Sequence, residues 1–396
     1  MAKVKILIGG VTLFSFLVFA LLKQWPLQQI VIIFILLFGQ CLEGIADTFF
    51  NLFRAEGQSI NESVCRTGPN VIAAVYGAGC LFFHLDILFF SLMFFLSSSL
   101  KLAAAIFGAS KLCDFPLQKV TDFPFRKTEI RSLIFISAIS FLGTFYNEIQ
   151  VFWLKQFHTF SDIAYYRVAH DVTASICGVV AQLIIGAVLF PQLVSAFSNK
   201  NNVEFQNIVR LYFKKLITLG GGLAFFLSLF GWEFVRLVYG NQYLSAEPLV
   251  PLFGMAALFS FINNFIIYVM LAMREEKQMC FFLFIPVSIS ILLGPLLVAG
   301  TGPMGAVSSL LLSRVMLSIV LITTLQRKIH FLRLSEYSNV ALCWLVAAIV
   351  FALLVQINYF LSGIMAISVY FLLIWFEMRK EEKRFEKVKA LNVNIE

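Results

Sequence analysis

The sequence predicts an all-α polytopic membrane protein of about twelve transmembrane helices in two related but unequal bundles. Three observations carry that expectation. The 396 residues are 60% hydrophobic and 13% charged, with a mean hydropathy of +0.88. Such a chain has too little polar surface to be wrapped by water, and lipid becomes its natural solvent. Apolar windows near the ~20 residues that a helix needs to cross the hydrocarbon recur along the whole length. Lysine and arginine are rich and poor in alternate connections between those windows.

Taken in order, the windows fall near 4–22, 28–47, 68–86, 87–108, 130–152, 163–190, 213–239, 248–272, 279–299, 303–325, 337–356 and 358–377. Only the turn marked by His84 and Asp86 separates the third from the fourth. With the N-terminus inside, 25 of the 30 basic residues fall on inner segments, from Lys3 and Lys5 through Arg54, Arg66, Lys101 and Lys111 to the cluster at 379–389. The outer loops hold Lys23 and Lys155. A missed span would scramble this alternation, so the count and the orientation support each other, and both termini are expected in the cytoplasm of a bacterial inner (cytoplasmic) membrane.

Residues 1–110 are expected to form an N-terminal lobe of about four helices, and 111–131 a cytosolic connector. Residues 132–328 form a C-terminal lobe of six helices, 329–378 two additional helices, and 379–396 a basic cytosolic tail. The connector carries Asp-Phe-Pro twice among basic residues, and its prolines break helices. It reads either as a hinge or strap between bundles or as an ordinary basic loop at the headgroups.

The net charge of +8 is explained by inner loops, so nucleic acid is not expected as a partner. Seven scattered cysteines include no Cys-x-x-Cys and no Cys/His cluster, so neither a metal site nor a disulfide framework is indicated. No GxxxxGK[ST] loop is present, and no cofactor is expected.

An internal repeat is legible in the loops. After the second window the chain reads RAEGQ (54–58), and after the eighth REEKQ (274–278). A six-helix parallel duplication is a transporter architecture, with the substrate path between its halves. Pairing helix k with helix k+6 matches the first four helices to the seventh through tenth, and leaves the first bundle two helices short.

Several segments then resemble one family. NEIQVFWLKQFHTFSDIAYYRVA (147–169) is similar to the hairpin that opens the second lobe of Wzx-type polysaccharide or O-antigen unit flippases of the MOP (MATE-like) exporter superfamily. There an acidic residue precedes a short outer turn and a Tyr-initiated helix, here Glu148 with Tyr165, Tyr166 and Ala169. The segment 188–217 resembles that family's Pro-terminated helix and amphipathic link. Gly240 and Tyr243 resemble its outer turn, and Gly302, Gly305 and Ala306 the entry to its last core helix. The likeness covers roughly 130 to 330 well, and the first 110 residues by helix pattern alone. It implies a MATE/MOP-like two-lobe bundle with an incomplete N-terminal lobe, either through an internal start or through degeneration.

The resemblance also implies a function: alternating-access translocation of a polyprenyl-pyrophosphate-linked oligosaccharide for O-antigen, capsule or exopolysaccharide synthesis. Membrane lipids, a polysaccharide polymerase and glycosyltransferases are the implied partners, and the chain would not itself be an enzyme. The rival in the same superfamily is an ion-coupled multidrug antiporter. A membrane-bound polymerase or glycosyltransferase is the rival of another class, but it would need a large catalytic loop or an acidic inner cluster that the chain lacks.

Charged groups within spans cost ~2.5–3.5 kcal/mol each, so they mark interiors, water or pairing. Arg167, His170 and Asp171 stand at i, i+3 and i+4 on one helix face, with Glu148 at similar depth on the preceding helix. Arg167 is expected to pair with Asp171. Glu148, His170 and Asp171 are candidates for proton or ion coupling, and Arg167 for a headgroup contact. The same patch also reads as a structural clamp.

Arg314, deep in its helix, is a candidate pyrophosphate contact or the partner of an acid. Asn263 and Asn264 are candidate substrate contacts or interhelical bonds. Glu43 and Asp47 are candidate cytosolic gates, or surface partners of Arg54. Glu233 and Arg236 read as an interfacial pair.

Overall fold

Long apolar runs punctuated by Gly, Pro and short polar turns leave the backbone one way to satisfy its hydrogen bonds in lipid, namely helices. The computed structural model describes residues 2–55, 59–112, 127–181, 189–198, 202–331, 334–354, 356 and 359–393, and among them all long elements are helical. They divide into two compact units, Met1–Arg126 and Lys127–Glu396.

The first unit holds α1 (Ala2–Leu22), α2 (Leu27–Ala55), α3 (Ser59–Phe82) and α4 (Ile87–Leu112). Helix α4 packs along α2 and α3, while α1 lies on α2. The seam of α2 and α4 is a small core of Ala46, Phe50, Phe53, Ala105 and Ala109. Many other apolar side chains point outward, as at Leu7, Leu22, Phe82 and Phe107, the arrangement expected where lipid is the solvent.

The second unit holds α5 (Lys127–Phe157), α6 (Phe160–Ala181), the short α7 (Phe190–Ser198), α8 (Asn202–Tyr239), a 3-10 turn (Asn241–Ala246), α9 (Leu249–Ala272), α10 (Glu276–Leu292), α11 (Gly294–Thr301), α12 (Pro303–Ile329), α13 (Leu334–Leu354) and α14 (Tyr359–Val393). Helix α9 is the axis, packed by α8, α12, α6 and α7, and α5 lies against α10, α11 and α12. Pro295 separates α10 from α11, because proline cannot continue an upstream ladder. The α11–α12 corner is tight, and a Cβ on Gly305 would lie 2.1 Å from the Leu297 carbonyl oxygen.

Helices α13 and α14 form a hairpin on α8. Its seam is small-against-large: a Cβ on Gly222 would meet the Tyr370 ring at 2.7 Å, and one on Gly363 the Phe230 ring at 2.4 Å. Tyr370 Oη donates to the Thr218 carbonyl at 2.7 Å, and Tyr359 Oη to that of Leu229 at 2.7 Å.

Each expected window overlaps a helix, the ninth being the broken pair α10–α11. Among the described residues, eight helical segments are long and apolar enough to cross a membrane, which makes the chain a multi-pass membrane protein. Helices α3 and α6 fall outside that set because of their polar residues: Glu62, Arg66 and Asn70 in one, Asp162, Arg167 and Asp171 in the other. Helices α13 and α14 contribute the shorter apolar stretches Leu345–Leu354 and Leu361–Phe376.

One boundary differs from the sequence reading, while the end of the sixth window (182–188) lies outside the described residues. The amphipathic link before the seventh window is continuous with it, as α8 runs 38 residues from Asn202. Most of the expected connector (113–126) lies outside the described residues, and Lys127–Arg131 already belong to α5.

Within each unit, corresponding helices pair alike. Helices α1 with α2, α2 with α4, and α3 with α4 pack as do α8 with α9, α9 with α12, and α10–α11 with α12. The first and third turns of both sets hold a residue of positive φ: Gln24 and His84 in the first unit, Gly240 and Gly302 in the second.

Candidate functional site

Arg314 stands eleven residues into α12, about 16 Å along the helix at 1.5 Å per residue, and it is 8% exposed. Its Nη2 donates to Asn147 Oδ1 on α5 at 2.7 Å, and its Nη1 to the Ala256 carbonyl on α9 at 3.0 Å. Its Nε has no partner. One side chain thus joins three helices through neutral acceptors, and no carboxylate lies within ion-pair distance of it among the described residues. A guanidinium has five N–H donors and no acceptor, so it offers unspent donors and an unneutralised charge.

Asn263 on α9 locks the same turn of α12. Its Nδ2 donates to the Arg314 carbonyl at 3.0 Å, while Ser318 Oγ donates to its Oδ1 at 2.7 Å. Asn263 is buried, whereas Asn264, one residue further round the helix, is exposed. The two candidate amides therefore face apart, since successive helical residues are rotated by ~100°.

The charged patch on α6 pairs differently from the expectation. Arg167 reaches across to Glu148 on α5 through both guanidinium ends, Nη1 to Oε1 at 3.4 Å and Nη2 to Oε2. Asp171 is paired instead with His170, Nδ1 to Oδ1 at 3.1 Å. The reason is geometric: α5 and α6 form a hairpin at this level, and a fork-shaped guanidinium gains two bonds from a facing carboxylate. The His170 ring stacks on Tyr166 and meets Phe253 edge-on.

Tyr166, 1% exposed, has a hydroxyl with no hydrogen-bond partner and lies within the electrostatic reach of Arg314, Arg167 and Glu148. A buried orphan hydroxyl is uncommon, and its cost invites a partner. Beside Glu148, the α5 face opens on a cleft of about 620 Å³ walled by Phe141, Thr144, Phe145, Phe152 and Ile291.

A second polar seam crosses α5, α10 and α12. Gln150 Nε2 donates to Ser290 Oγ at 3.2 Å, Trp153 Nε1 to the Ser290 carbonyl at 3.1 Å, and the Ser290 and Ser313 hydroxyls lie 2.9 Å apart. Sequence reasoning named Tyr166 only as a mark of the resemblance and missed Asn147, Gln150 and this serine set. A signal existed, because Ser309 and Ser313 stand at i, i+4 on one stripe of α12, and Arg314 and Ser318 at i, i+4 on the neighbouring one.

In the first unit, Glu43 and Asp47 find partners other than Arg54, whose side chain lies outside the described set. Glu43 Oε1 pairs with Lys101 Nζ at 2.6 Å, and Asp47 Oδ1 with Arg66 Nη2 at 2.7 Å. Arg66 also binds Glu62 at 2.9 Å and stands over the Phe50 ring. Lys101 lies on α4 within the apolar span Ile87–Ser110, 12% exposed, where Glu43 on α2 neutralises it. Ser97 donates to Asn70 Oδ1 at 2.8 Å. These groups open on a cavity of about 630 Å³ lined by Gln40, Glu43, Asn70, Ser97, Ser98 and Lys101 together with Phe94 and Met93. Glu233 is half-buried and Arg236 exposed near the end of α8, and no ion pair joins them among the described residues.

The two units carry the same clamp. Glu43–Lys101 ties the second helix of the first set to the fourth, as Asn263–Ser318 does in the second. Ser97–Asn70 ties the fourth to the third, as Ser313–Ser290 does. The interval from Glu43 to Asn263 equals those from Asn70 to Ser290 and from Arg54 to Arg274. The second copy of the loop motif has its own structural use, since Lys328 binds Glu275 and Gln278, each at 2.7 Å.

Comparison with solved structures agrees with this architecture. The chain superposes on "Outward-facing conformation of a multidrug resistance MATE family transporter of the MOP superfamily" with a TM-score of 0.62, and on "Crystal structure of MATE in the bent conformation" with 0.60. Each match is at 12% sequence identity and covers 83% of this chain and 77% of the other. At that identity the likeness shows the fold: this is a multi-pass membrane protein with a MATE/MOP-like fold. No family model and no curated protein matches the sequence.

Proposed function

We propose that the chain is a flippase that carries a polyprenyl-pyrophosphate-linked oligosaccharide across the cytoplasmic membrane by alternating access, supplying surface polysaccharide synthesis. The observation that carries this reading is Arg314: a buried guanidinium held by a side-chain amide and a backbone carbonyl, with Nε unspent and the orphan Tyr166 hydroxyl in its field. Neutral dipoles hold its position without cancelling its charge. An oxyanion entering its neighbourhood supplies the missing acceptor and the missing counter-charge at once. The transporter-type fold and the likeness of the α5–α6 hairpin to Wzx-type flippases support the same reading.

In this mechanism Arg314 offsets the lost hydration of the pyrophosphate, and Arg167, held by Glu148, is a second cation that can exchange partners. Tyr166 donates to the anion, and Asn147 and Asn263 keep Arg314 in place. His170 and Asp171 are the candidate proton-coupling pair. An inside-negative potential favours outward movement of an anion by about 2.3 kcal/mol per charge per 100 mV. The lipid tail stays in the bilayer.

An ion-coupled multidrug antiporter is the second reading, favoured by the description of one superposed structure as a multidrug resistance transporter. A cationic drug would be repelled by Arg314, which separates the two. The test uses cells whose surface glycan depends on this gene. Arg314→Ala and Arg167→Ala lower surface glycan at unchanged protein level if the cargo is the anionic lipid-linked glycan. Full export by both variants, with drug resistance lost in Glu148→Gln, transfers the assignment to the antiporter.

A further inference from the structure

We propose that a cleft where α8, α9 and α14 meet binds the primary ammonium of a phosphatidylethanolamine headgroup. The cleft, about 330 Å³, is lined by Ser228, Trp232, Glu247, Pro248, Pro251 and Tyr359. Acceptors outnumber donors in it, the Trp232 indole N–H being the donor among its side chains. Glu247 is exposed, and its carboxylate has no hydrogen bond or ion pair among the described residues. Ser228 Oγ spends its proton on the Ala224 carbonyl at 2.8 Å, which leaves its lone pairs free to accept. The two prolines bring no N–H. The Trp232 and Tyr359 rings meet edge to face, centroids 6.3 Å apart at 61°, and Tyr359 is fixed by its 2.7 Å bond to the Leu229 carbonyl.

An acceptor-rich pocket with an unpaired carboxylate and fixed ring faces suits a cation, through charge-assisted hydrogen bonds and cation–π attraction. A primary ammonium, with three donors, uses both Glu247 and Ser228, which a trimethylammonium cannot.

Position selects a lipid as the source. Pro251 lies in the first turn of α9 and Tyr359 begins α14, so the cleft sits at the interfacial level where headgroups reside. Away from it, α14 presents the exposed side chains Ile364 and Met365, a surface for acyl chains. The cleft is independent of the cargo, because it uses neither Arg314 nor the α5–α6 pair.

The test is native mass spectrometry of the purified full-length chain given equimolar phosphatidylethanolamine, phosphatidylcholine and phosphatidylglycerol. Wild type retains phosphatidylethanolamine preferentially. Glu247→Gln, near-isosteric at an exposed site, and Trp232→Ala each lower that retention about tenfold, equivalent to ~1.4 kcal/mol. Equal retention of the three lipids, or unchanged retention in Glu247→Gln, overturns the proposal. Displacement of the lipid by free ethanolamine at matched concentration overturns it too, by assigning the cleft to a soluble amine.

Discussion

Asn147 Oδ1 accepts a 2.7 Å hydrogen bond from Arg314 Nη2 and so joins α5 to α12. The two residues are far apart in the chain, and a carboxylamide here does what an acid would do at the cost of neutralising the guanidinium. The arrangement keeps a positive charge available inside a helical bundle while holding it to one rotamer. Interhelical bonds of this kind are worth ~0.6–2 kcal/mol each in membranes, which is enough to fix geometry and too little to dominate stability.

Replacing Asn147 by Ala leaves Arg314 Nη2 without its acceptor. We expect a loss of about 1–2 kcal/mol, read as a lower thermal unfolding midpoint in detergent, together with reduced export. An unchanged midpoint and unchanged export would show that Ala256 alone positions the guanidinium.

The Glu148–Arg167 pair is bidentate, yet its side chains are 44% and 38% exposed. Exposure screens it, so a double-mutant cycle with Glu148→Gln and Arg167→Met should give a coupling of about 0.2–1 kcal/mol that shrinks in high salt. A coupling several times larger, insensitive to salt, would place the pair in a dry interior instead.

Glu43 and Lys101 should behave in the opposite sense. Either single neutralisation, Glu43→Gln or Lys101→Met, strands a charge inside the span at a cost of ~2.5–3.5 kcal/mol. The double variant strands none. Membrane-resident protein should therefore fall in each single variant and recover in the double, as quantified by blotting. Recovery failing in the double variant would mean that the cavity needs the charges for something beyond mutual neutralisation.

Two glycine substitutions make a matched comparison. A Cβ on Gly305 meets the Leu297 backbone, which cannot yield as a side-chain tip does, whereas a Cβ on Gly79 in α3 meets nothing within 4 Å. Gly305→Ala should destabilise by about 1–3 kcal/mol or more, and Gly79→Ala should be neutral or stabilising by up to ~1 kcal/mol. Thermal unfolding of both variants decides it, and equal midpoints would refute the tight α11–α12 corner.

The helical architecture was legible in the residues because hydrophobic length and Lys/Arg distribution are local quantities, summed along the chain without knowing who packs on whom. The REEKQ echo of RAEGQ was legible for the same reason. The deeper repeat was not, since Glu43 and Asn263, or Asn70 and Ser290, occupy matching clamps with different chemistry, and motif matching compares identities rather than contacts. Lys101 shows the same limit: charge counting registered its charge, and only the structure shows Glu43 across the α2–α4 seam as its partner.

Sequence alone thus determined that this is a bundle of membrane helices carrying a few costly ionisable groups, because insertion energy depends on composition window by window. Tertiary structure decided the pairings: Arg167 with Glu148 rather than Asp171, Asn263 inward and Asn264 outward, Arg314 among neutral acceptors. Those depend on the rotation of each helix about its axis, where one residue is ~100°, and that angle is set by packing against neighbours.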